Sequence, residues 1–175
     1  MSERSEMERL IRVRHLPTGF VRIEASAAER DALAARFRIC AVHSLLAEVE
    51  LEAGGGGTVR ANGLLNARIE QECAVSQEPF AATIHEPLAL IFTPNLEQPA
   101  APDEEVELDT EALDEIGYAG DSFDLGEAVA QTLGLAIDPY AVGPKADAAR
   151  AEAGIVSDEA QTGTLAQALA NLKLN

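Results

Sequence analysis

The chain has 175 residues, about one domain's length, and 47% of them are hydrophobic, so it can bury a substantial core. It contains no run approaching the roughly 18 apolar residues of a membrane span, and its N-terminus lacks the apolar segment of a signal peptide. We therefore expect a globular, cytoplasmic protein without a membrane partner. The two cysteines, Cys40 and Cys73, are expected to be reduced thiols in that compartment.

The formal net charge of −17 is confined to one part of the chain. Residues 1–70 hold ten Lys/Arg against ten Asp/Glu, whereas the remainder holds three against twenty. The acidic part would repel nucleic acid, because contacts to phosphate require cations. We therefore expect no DNA partner, and any contact with RNA must use the N-terminal half or pass through a protein partner.

The N-terminal third predicts two strands and a helix. Apolar and polar residues alternate over residues 9–15 and 20–25, and the turn residues at 17–19 between them predict that these strands pair with each other. Ser26 and Glu29 form a capping box, in which each side chain can bond to the other's backbone amide. This box predicts a helix of about three turns directly after it.

Three longer strands follow and predict the core sheet. Their alternating segments are Leu45–Leu51, Val59–Ile69 and Phe80–Phe92, and the glycines at 54–57 form a loop between the first two. The glycine run opens no helix and precedes no Lys-Ser/Thr pair, so we interpret it as a hairpin loop rather than a phosphate loop. The fold class predicted is α+β: an antiparallel sheet of about five strands with one helix packed across it, formed by residues 1–93.

The C-terminal half is predicted to be an acidic linker followed by a helical arm. Residues 94–122 are rich in acids, Pro and Ala and offer little to pack, so we expect a mobile linker. Asp124 is positioned to cap a helix within residues 123–140, which we expect to dock on the core. Residues 141–175 are predicted to be a tail that carries a short amphipathic helix at 164–175.

One combination of short motifs points to a family. Cys73 stands at the end of a strand, Glu78-Pro79 follows it, and beyond the acidic linker comes DLGEAVAQTLGLAIDPYAV, which includes Asp138-Pro139. Taken together, these features resemble the YceD family, the large ribosomal RNA subunit accumulation proteins, over nearly the whole chain. The resemblance implies a ribosome-biogenesis factor that supports accumulation of large-subunit ribosomal RNA.

The resemblance also bears on metal binding. Many members of the family carry Cys-x-x-Cys at this point and further cysteines after the second helix. Here Ser76 occupies the second position and the later cysteines are missing, so too few ligands are present for zinc. We therefore expect no metal and no cofactor, and we interpret Cys73 as a buried structural residue.

No catalytic constellation stands out in the sequence. A thiol nucleophile would need a histidine base and an orienting carboxylate, and the spacing of the three histidines favours no such triad. We therefore expect no catalytic residue and no enzyme activity. Two alternatives stay open: a thiol-dependent enzyme that uses Cys73, and a generic acidic protein-interaction module unrelated to ribosomes.

Two sets of charged side chains are candidates for partner binding. The arginines could form a cationic RNA-binding patch on the outer face of the sheet if their strands are neighbours; otherwise they are solvated residues paired with glutamates. These arginines are Arg12, Arg14, Arg22, Arg60 and Arg68. The acidic linker could instead hold a basic partner through Asp103, Glu104, Glu105, Glu107 and Asp109. Because the sheet lacks the aromatic stacking motif of RNA readers, we favour a basic ribosomal protein or assembly factor over ribosomal RNA.

Overall fold

A computed structural model of the chain describes residues 5–94 and 114–155. These residues form two compact units, one of residues 5–71, 81–94 and 114–138 and a smaller one of residues 72–80 and 139–155. In chain order the elements are β1 Leu10–Arg12, a 3-10 helix Val13–His15, β2 Phe20–Glu24, α1 Ala27–Phe37, β3 Ala41–Ala53, a 3-10 helix Gly55–Gly57, β4 Val59–Glu72, β5 Pro79–Pro94, β6 Asp114–Tyr118, β7 Ser122–Asp124, α2 Leu125–Ala136 and α3 Ala146–Glu152. The longest helix has 12 residues, and no helix in the described ranges could span a bilayer.

The larger unit is built on a five-stranded sheet of order β2-β3-β4-β5-β6. β2, β3 and β4 pair antiparallel, whereas β6 runs parallel to β5. The predicted α+β class is confirmed, but the sheet is mixed rather than wholly antiparallel. β6 lies within residues 94–122, so the last part of the predicted linker is a strand, while residues 95–113 fall outside the described residues.

Tyr118 explains why an acidic segment ends in a strand. Its side chain is buried, packs beside Phe123 with ring centroids 6.2 Å apart, and donates a hydrogen bond of 2.6 Å to the carbonyl oxygen of Gly57. The burial of one aromatic ring outweighs the low local hydrophobicity. Gly57 has φ +89, and a Cβ there would stand 3.1 Å from the Tyr118 hydroxyl, so a side chain would strain this contact.

The predicted pairing of the first two strands is wrong. β1 pairs antiparallel with β7, and β2 pairs with β3. The start of α2 holds the N-terminal segment: the Arg9 amide donates to Asp124 Oδ1 over 2.8 Å, and the Leu125 amide donates to the Arg9 carbonyl over 3.0 Å. These long-range hydrogen bonds direct β1 towards β7, although the turn residues at 17–19 suggested a hairpin.

The core lies between one face of the sheet and helices α1 and α2. The apolar residues of the alternating segments in β3 to β5 are nearly all buried, together with Leu33 and Ala34 of α1 and five residues of α2. Those of α2 are Leu125, Ala128, Val129, Ala130 and Leu133. Helices α1 and α2 therefore both pack on this core. Both helix caps form as predicted: Ser26 and Glu29 make a full capping box, and Asp124 accepts from the amides of Gly126 and Glu127.

Gly63 lies where β3 leaves no room for a side chain on β4. A Cβ added at Gly63 would lie 2.1 Å from the Glu48 carbonyl oxygen and 2.9 Å from the Val49 Cα, both of which are backbone atoms. Neither atom can move without breaking the pairing of β3 with β4. A glycine is therefore required at this position of a strand that otherwise carries side chains on both faces.

The predicted tail at residues 141–175 differs from the structure in one element and extends beyond the described residues. The predicted helix at 164–175 lies outside the described residues. Within the predicted tail the structure has α3, which the sequence reasoning missed because only Ala146 of this short helix is buried. The structure joins residues 139–155 with the β4–β5 connection in the smaller unit.

An ion pair links the N-terminal segment to the start of α1. Arg9 Nη1 lies 2.7 Å from Glu29 Oε1, and Glu29 Oε2 accepts from the Ser26 amide over 2.7 Å. The Arg9 guanidinium, followed by the Ser26 bonds, lowers the pKa of Glu29 to about 2. This folded-state pKa is below the ordinary value of 4.5, so the stabilisation is present above that pH and is lost as the pH falls towards 2.

We expect Glu29→Gln to lower the free energy of unfolding by about 1 kcal/mol at pH 7, because it removes the charge of a partly buried ion pair and weakens the capping box. At pH 3 the Glu29 carboxyl of the unfolded wild-type chain is mostly protonated, since its ordinary pKa is 4.5, so the difference should shrink. Urea unfolding at both pH values measures it. Glu24→Gln is the matched control, because its 3.6 Å pair with Arg22 is exposed. An equal loss at both pH values would assign the effect to hydrogen bonding rather than charge.

Candidate functional site

The face of the sheet opposite the helices is open in the described structure and carries rows of charged side chains. Arg22 stands opposite Glu48, and Arg60 stands opposite Glu52. Arg68 differs, since its partner across the strand pair is Ser44. An arginine beside a glutamate has much of its charge balanced, so Arg68 is the outward arginine best placed to attract an anion.

The structure brings together only part of the predicted arginine set. Arg22, Arg60 and Arg68 share the open face, but Arg12 and Arg14 belong to β1 and the adjoining 3-10 helix. β1 is part of a separate two-stranded sheet with β7. Along β4, eight residues separate Arg60 from Arg68, a distance of about 26 Å at the rise of a strand. The five arginines therefore do not form one continuous cationic patch.

A groove that we call the sheet groove lies around Arg68, between outward residues of β3 to β5 and Arg30 of α1, where β2 ends. It has a volume of about 380 Å³. Its polar lining consists of Arg30, Ser44, Asn66, Arg68, Thr83 and His85, together with the carboxylate of Glu24. The strand pairing turns irregular between Val42 and Ser44, next to this position. A β-bulge of this kind re-aims side chains and is frequent at binding sites.

Two of the polar groups in the sheet groove are held in place by hydrogen bonds. His85 Nδ1 lies 2.6 Å from Asn66 Oδ1, and Arg30 Nη1 donates to the Ala25 carbonyl over 2.8 Å. With the amide oxygen as acceptor, His85 carries its proton on Nδ1, and Nε2 of the neutral ring is an acceptor. The Asn66 amide nitrogen keeps both of its donors.

The sequence reasoning missed Arg30, Asn66 and His85 as members of one site. Alternation along each strand could have shown that Asn66 and His85 face outward. Their meeting depends on the register of β4 against β5, which the sequence does not state. The predicted acidic contacts from Asp103 to Asp109 lie outside the described residues.

The smaller unit is organised around Cys73. The side chain is 2% exposed, which agrees with the predicted burial. Its Sγ accepts hydrogen bonds from the amides of Val75 and Ser76, both over 3.4 Å, and from the Gly143 amide over 3.2 Å. The Cys73 amide donates to the Glu78 carbonyl over 3.0 Å, closing the turn that precedes Pro79.

Contacts between residues 72–80 and 139–155 hold this loop, the Cys73 loop, in shape. Glu78 forms an exposed ion pair of 2.8 Å with Lys145, and the Ala74 amide donates to the Ala141 carbonyl over 3.0 Å. Asp138 and Pro139 follow the end of α2 and lead into this segment. Within the described ranges no group of three or more His, Cys, Asp or Glu side chains could hold a metal ion.

The donors around Cys73 favour a thiolate. Hydrogen bonds from the side chain and amide of Ser76, with those from the Gly143 and Val75 amides, lower the pKa of the Cys73 thiol to about 6 although burial opposes ionisation. The cavity beside the loop measures about 50 Å³, room for little more than water. The hydrogen bonds therefore stabilise a negative charge on a buried sulfur, and the small cavity leaves reagents little access to it.

We expect the Cys73 thiol to ionise near pH 6 rather than near pH 9. The test is thiolate absorbance at 240 nm against pH in a Cys40→Ser variant, where Cys73 is the sole cysteine. Adding Ser76→Ala should move the midpoint upward, because it removes the hydroxyl donor. The Cys40→Ser, Cys73→Ser double variant supplies the baseline, and a midpoint near 9 with Ser76 intact would contradict the assignment.

Comparison with known proteins places the chain in a family. A family model described as "Large ribosomal RNA subunit accumulation protein YceD" matches residues 61–173, which is well over half of the chain. No curated protein and no solved structure matches the chain. The matched range contains all but the first two residues of β4, the Cys73 loop, α2 and Asp138-Pro139, so the features that suggested the resemblance are included. The chain therefore belongs to the YceD family of large ribosomal RNA subunit accumulation proteins.

Proposed function

We propose that this protein is a non-enzymatic factor of ribosome assembly in the cytoplasm. It supports accumulation of large-subunit ribosomal RNA by holding a basic ribosomal protein or assembly factor. Membership in the family supports the ribosomal role, because the family is described by that accumulation. The distribution of charge along the chain supports the choice of a basic partner.

The observation that carries the proposal is an acidic segment tied at both ends to one sheet. Residues 95–113 hold seven acidic residues and no Lys or Arg. They connect β5 to β6, which are parallel neighbours with Leu90 opposite Asp114 and Pro94 opposite Tyr118. This segment, which we call the acidic connection, therefore begins and ends at strands of one sheet.

A segment that carries acidic residues and no basic ones attracts basic partners. A run of carboxylates without cations presents dense negative charge, which is what a basic ribosomal protein otherwise meets on RNA. It repels RNA itself, because nothing in it can neutralise phosphate. The acidic connection can therefore occupy the RNA-binding surface of a basic protein until ribosomal RNA displaces it.

Neutralising Asp103, Glu104, Glu105, Glu107 and Asp109 to Asn or Gln should weaken capture of basic proteins from a lysate by about tenfold at 0.15 M salt. The reason is that attraction between exposed charges is long-range and is screened over a Debye length of about 8 Å at this salt. Quantitative mass spectrometry of the co-purified proteins at 0.05, 0.15 and 0.5 M salt measures the effect.

A matched control neutralises five exposed acids outside the acidic connection. These are Asp31, Glu50, Glu52, Glu72 and Glu152. Both variants lose the same charge, so a specific role for the acidic connection predicts a loss only in the first. Equal losses in both, or full capture by the neutralised connection, would refute the proposal.

A thiol-dependent enzyme is the second candidate, and the lowered pKa of Cys73 is the observation in its favour. We expect Cys73→Ser to restore large-subunit ribosomal RNA to wild-type levels in cells that lack the protein, because the sulfur is buried and hydrogen-bonded rather than reactive. Thermal unfolding shows whether the variant folds. A folded Cys73→Ser chain that fails to restore the RNA would favour the enzyme.

A further inference from the structure

We propose that the sheet groove binds an unpaired RNA strand. One nucleotide occupies it, with phosphate against Arg68 and Arg30 and the edge of the base against Asn66 and His85. This inference rests on the proposed function, since it adds a direct contact to ribosomal RNA, but it uses a different surface from the acidic connection.

The sheet groove is cationic, whereas the whole chain carries a net negative charge. Neither Arg30 nor Arg68 makes an ion pair in the described part of the chain. The lining holds one carboxylate, that of Glu24, against these two guanidinium groups, and Glu24 itself pairs with Arg22 over 3.6 Å. On a protein of net charge −17, a groove of net positive charge is a local site for an anion.

The hydrogen-bonding groups favour a nucleotide over a simple anion. The bond between His85 and Asn66 leaves an amide with two donors beside a ring nitrogen that accepts, which suits the mixed donors and acceptors of a base edge. The hydroxyls of Ser44 and Thr83 also line the groove and can bond to phosphate or ribose. The groove thus combines phosphate-binding and base-binding chemistry within one small site.

The dimensions of the groove favour an unpaired strand. A volume of about 380 Å³ is at the lower end of the range for small-ligand pockets, so it suits a single nucleotide. In a duplex the base edges pair with each other, whereas an unpaired strand can turn them towards side chains. The lining contains no Phe, Tyr or Trp, so stacking contributes little and the contact should be modest in affinity.

A protein ligand fits the groove less well. Protein interfaces concentrate their binding energy in buried aromatic and apolar anchors, and here the outward-facing apolar side chain in the lining is the half-buried Leu46. The accessible surface of the groove is mostly apolar, so the choice between the two occupants rests on its two guanidinium groups, which match a phosphate. We therefore assign RNA as the occupant and treat protein capture as an outcome of the test.

The experiment measures binding of a fluorescein-labelled unstructured 12-nucleotide RNA to the full chain, by anisotropy over a series of salt concentrations. Arg68→Gln should weaken binding by about fivefold or more at 0.1 M salt and reduce the slope of log K against log salt by about 0.7, the value for one phosphate on a single strand. Arg60→Gln is the matched control: it lies on the same strand and face, outside the groove. It should retain at least half of the wild-type affinity.

A second measurement locates the RNA independently of the variants. Photocross-linking with 4-thiouridine in the same RNA should recover peptides from β3, β4 and β5. Equal losses in Arg68→Gln and Arg60→Gln would mean diffuse attraction by charge, and no loss in Arg68→Gln with cross-links elsewhere would mean a different site. Either outcome overturns the inference, as does loss of a captured protein by Arg68→Gln while RNA binding is unchanged.

The result of the RNA-binding experiment can be distinguished from the result of the basic-protein capture that tests the proposed function. Neutralising the acidic connection should leave affinity for the 12-nucleotide RNA unchanged or raise it, because a source of repulsion is removed. Failure of basic-protein capture would count against the acidic connection alone. Failure of RNA binding at the sheet groove would leave capture of a basic protein intact.

Discussion

The antiparallel pairing of β3 with β4 is the constraint on which the rest of the larger unit depends. Residues alternate between the two faces along both strands, so a slip of one residue would turn the buried set towards solvent. Gly63 allows the backbones to approach where a side chain would collide with the Glu48 carbonyl. Once this register is set, one face can only be the core, and the other face presents its charged rows.

Polar contacts then join parts of the chain that are far apart in sequence. Arg36 of α1 binds Glu127 of α2 over 2.7 Å and also Glu6 over 2.7 Å. Asp124 caps α2 and accepts the Arg9 amide, so a single carboxylate orders both a helix start and the N-terminal segment. These bonds bring the N-terminal segment to the two helices that cover the inner face, and leave the outer face open.

The two proposed binding regions of the larger unit, the sheet groove and the acidic connection, are chemically opposed. The acidic connection offers only carboxylates, while the sheet groove contains Arg68 without a carboxylate across from it. A factor that must hold a basic protein and remain near RNA would benefit from such a separation of charge, because each surface repels the ligand of the other. In the smaller unit, Cys73 has a structural explanation, since three backbone amides and Ser76 satisfy its sulfur.

The sequence by itself determined what local periodicity and near neighbours control. The inward faces of β3 to β5, the capping box at Ser26 and the Asp124 cap all rest on residues within a few positions of one another. Tertiary structure alone decided which strand pairs with β1, that β6 forms beside β5, and that Arg30, Asn66 and His85 line one groove. Short strands such as β1 and β6 have too few residues for alternation to name a partner. Their partners are chosen instead by contacts that span much of the chain, such as Tyr118 with Gly57, and these exist only when the whole unit is folded.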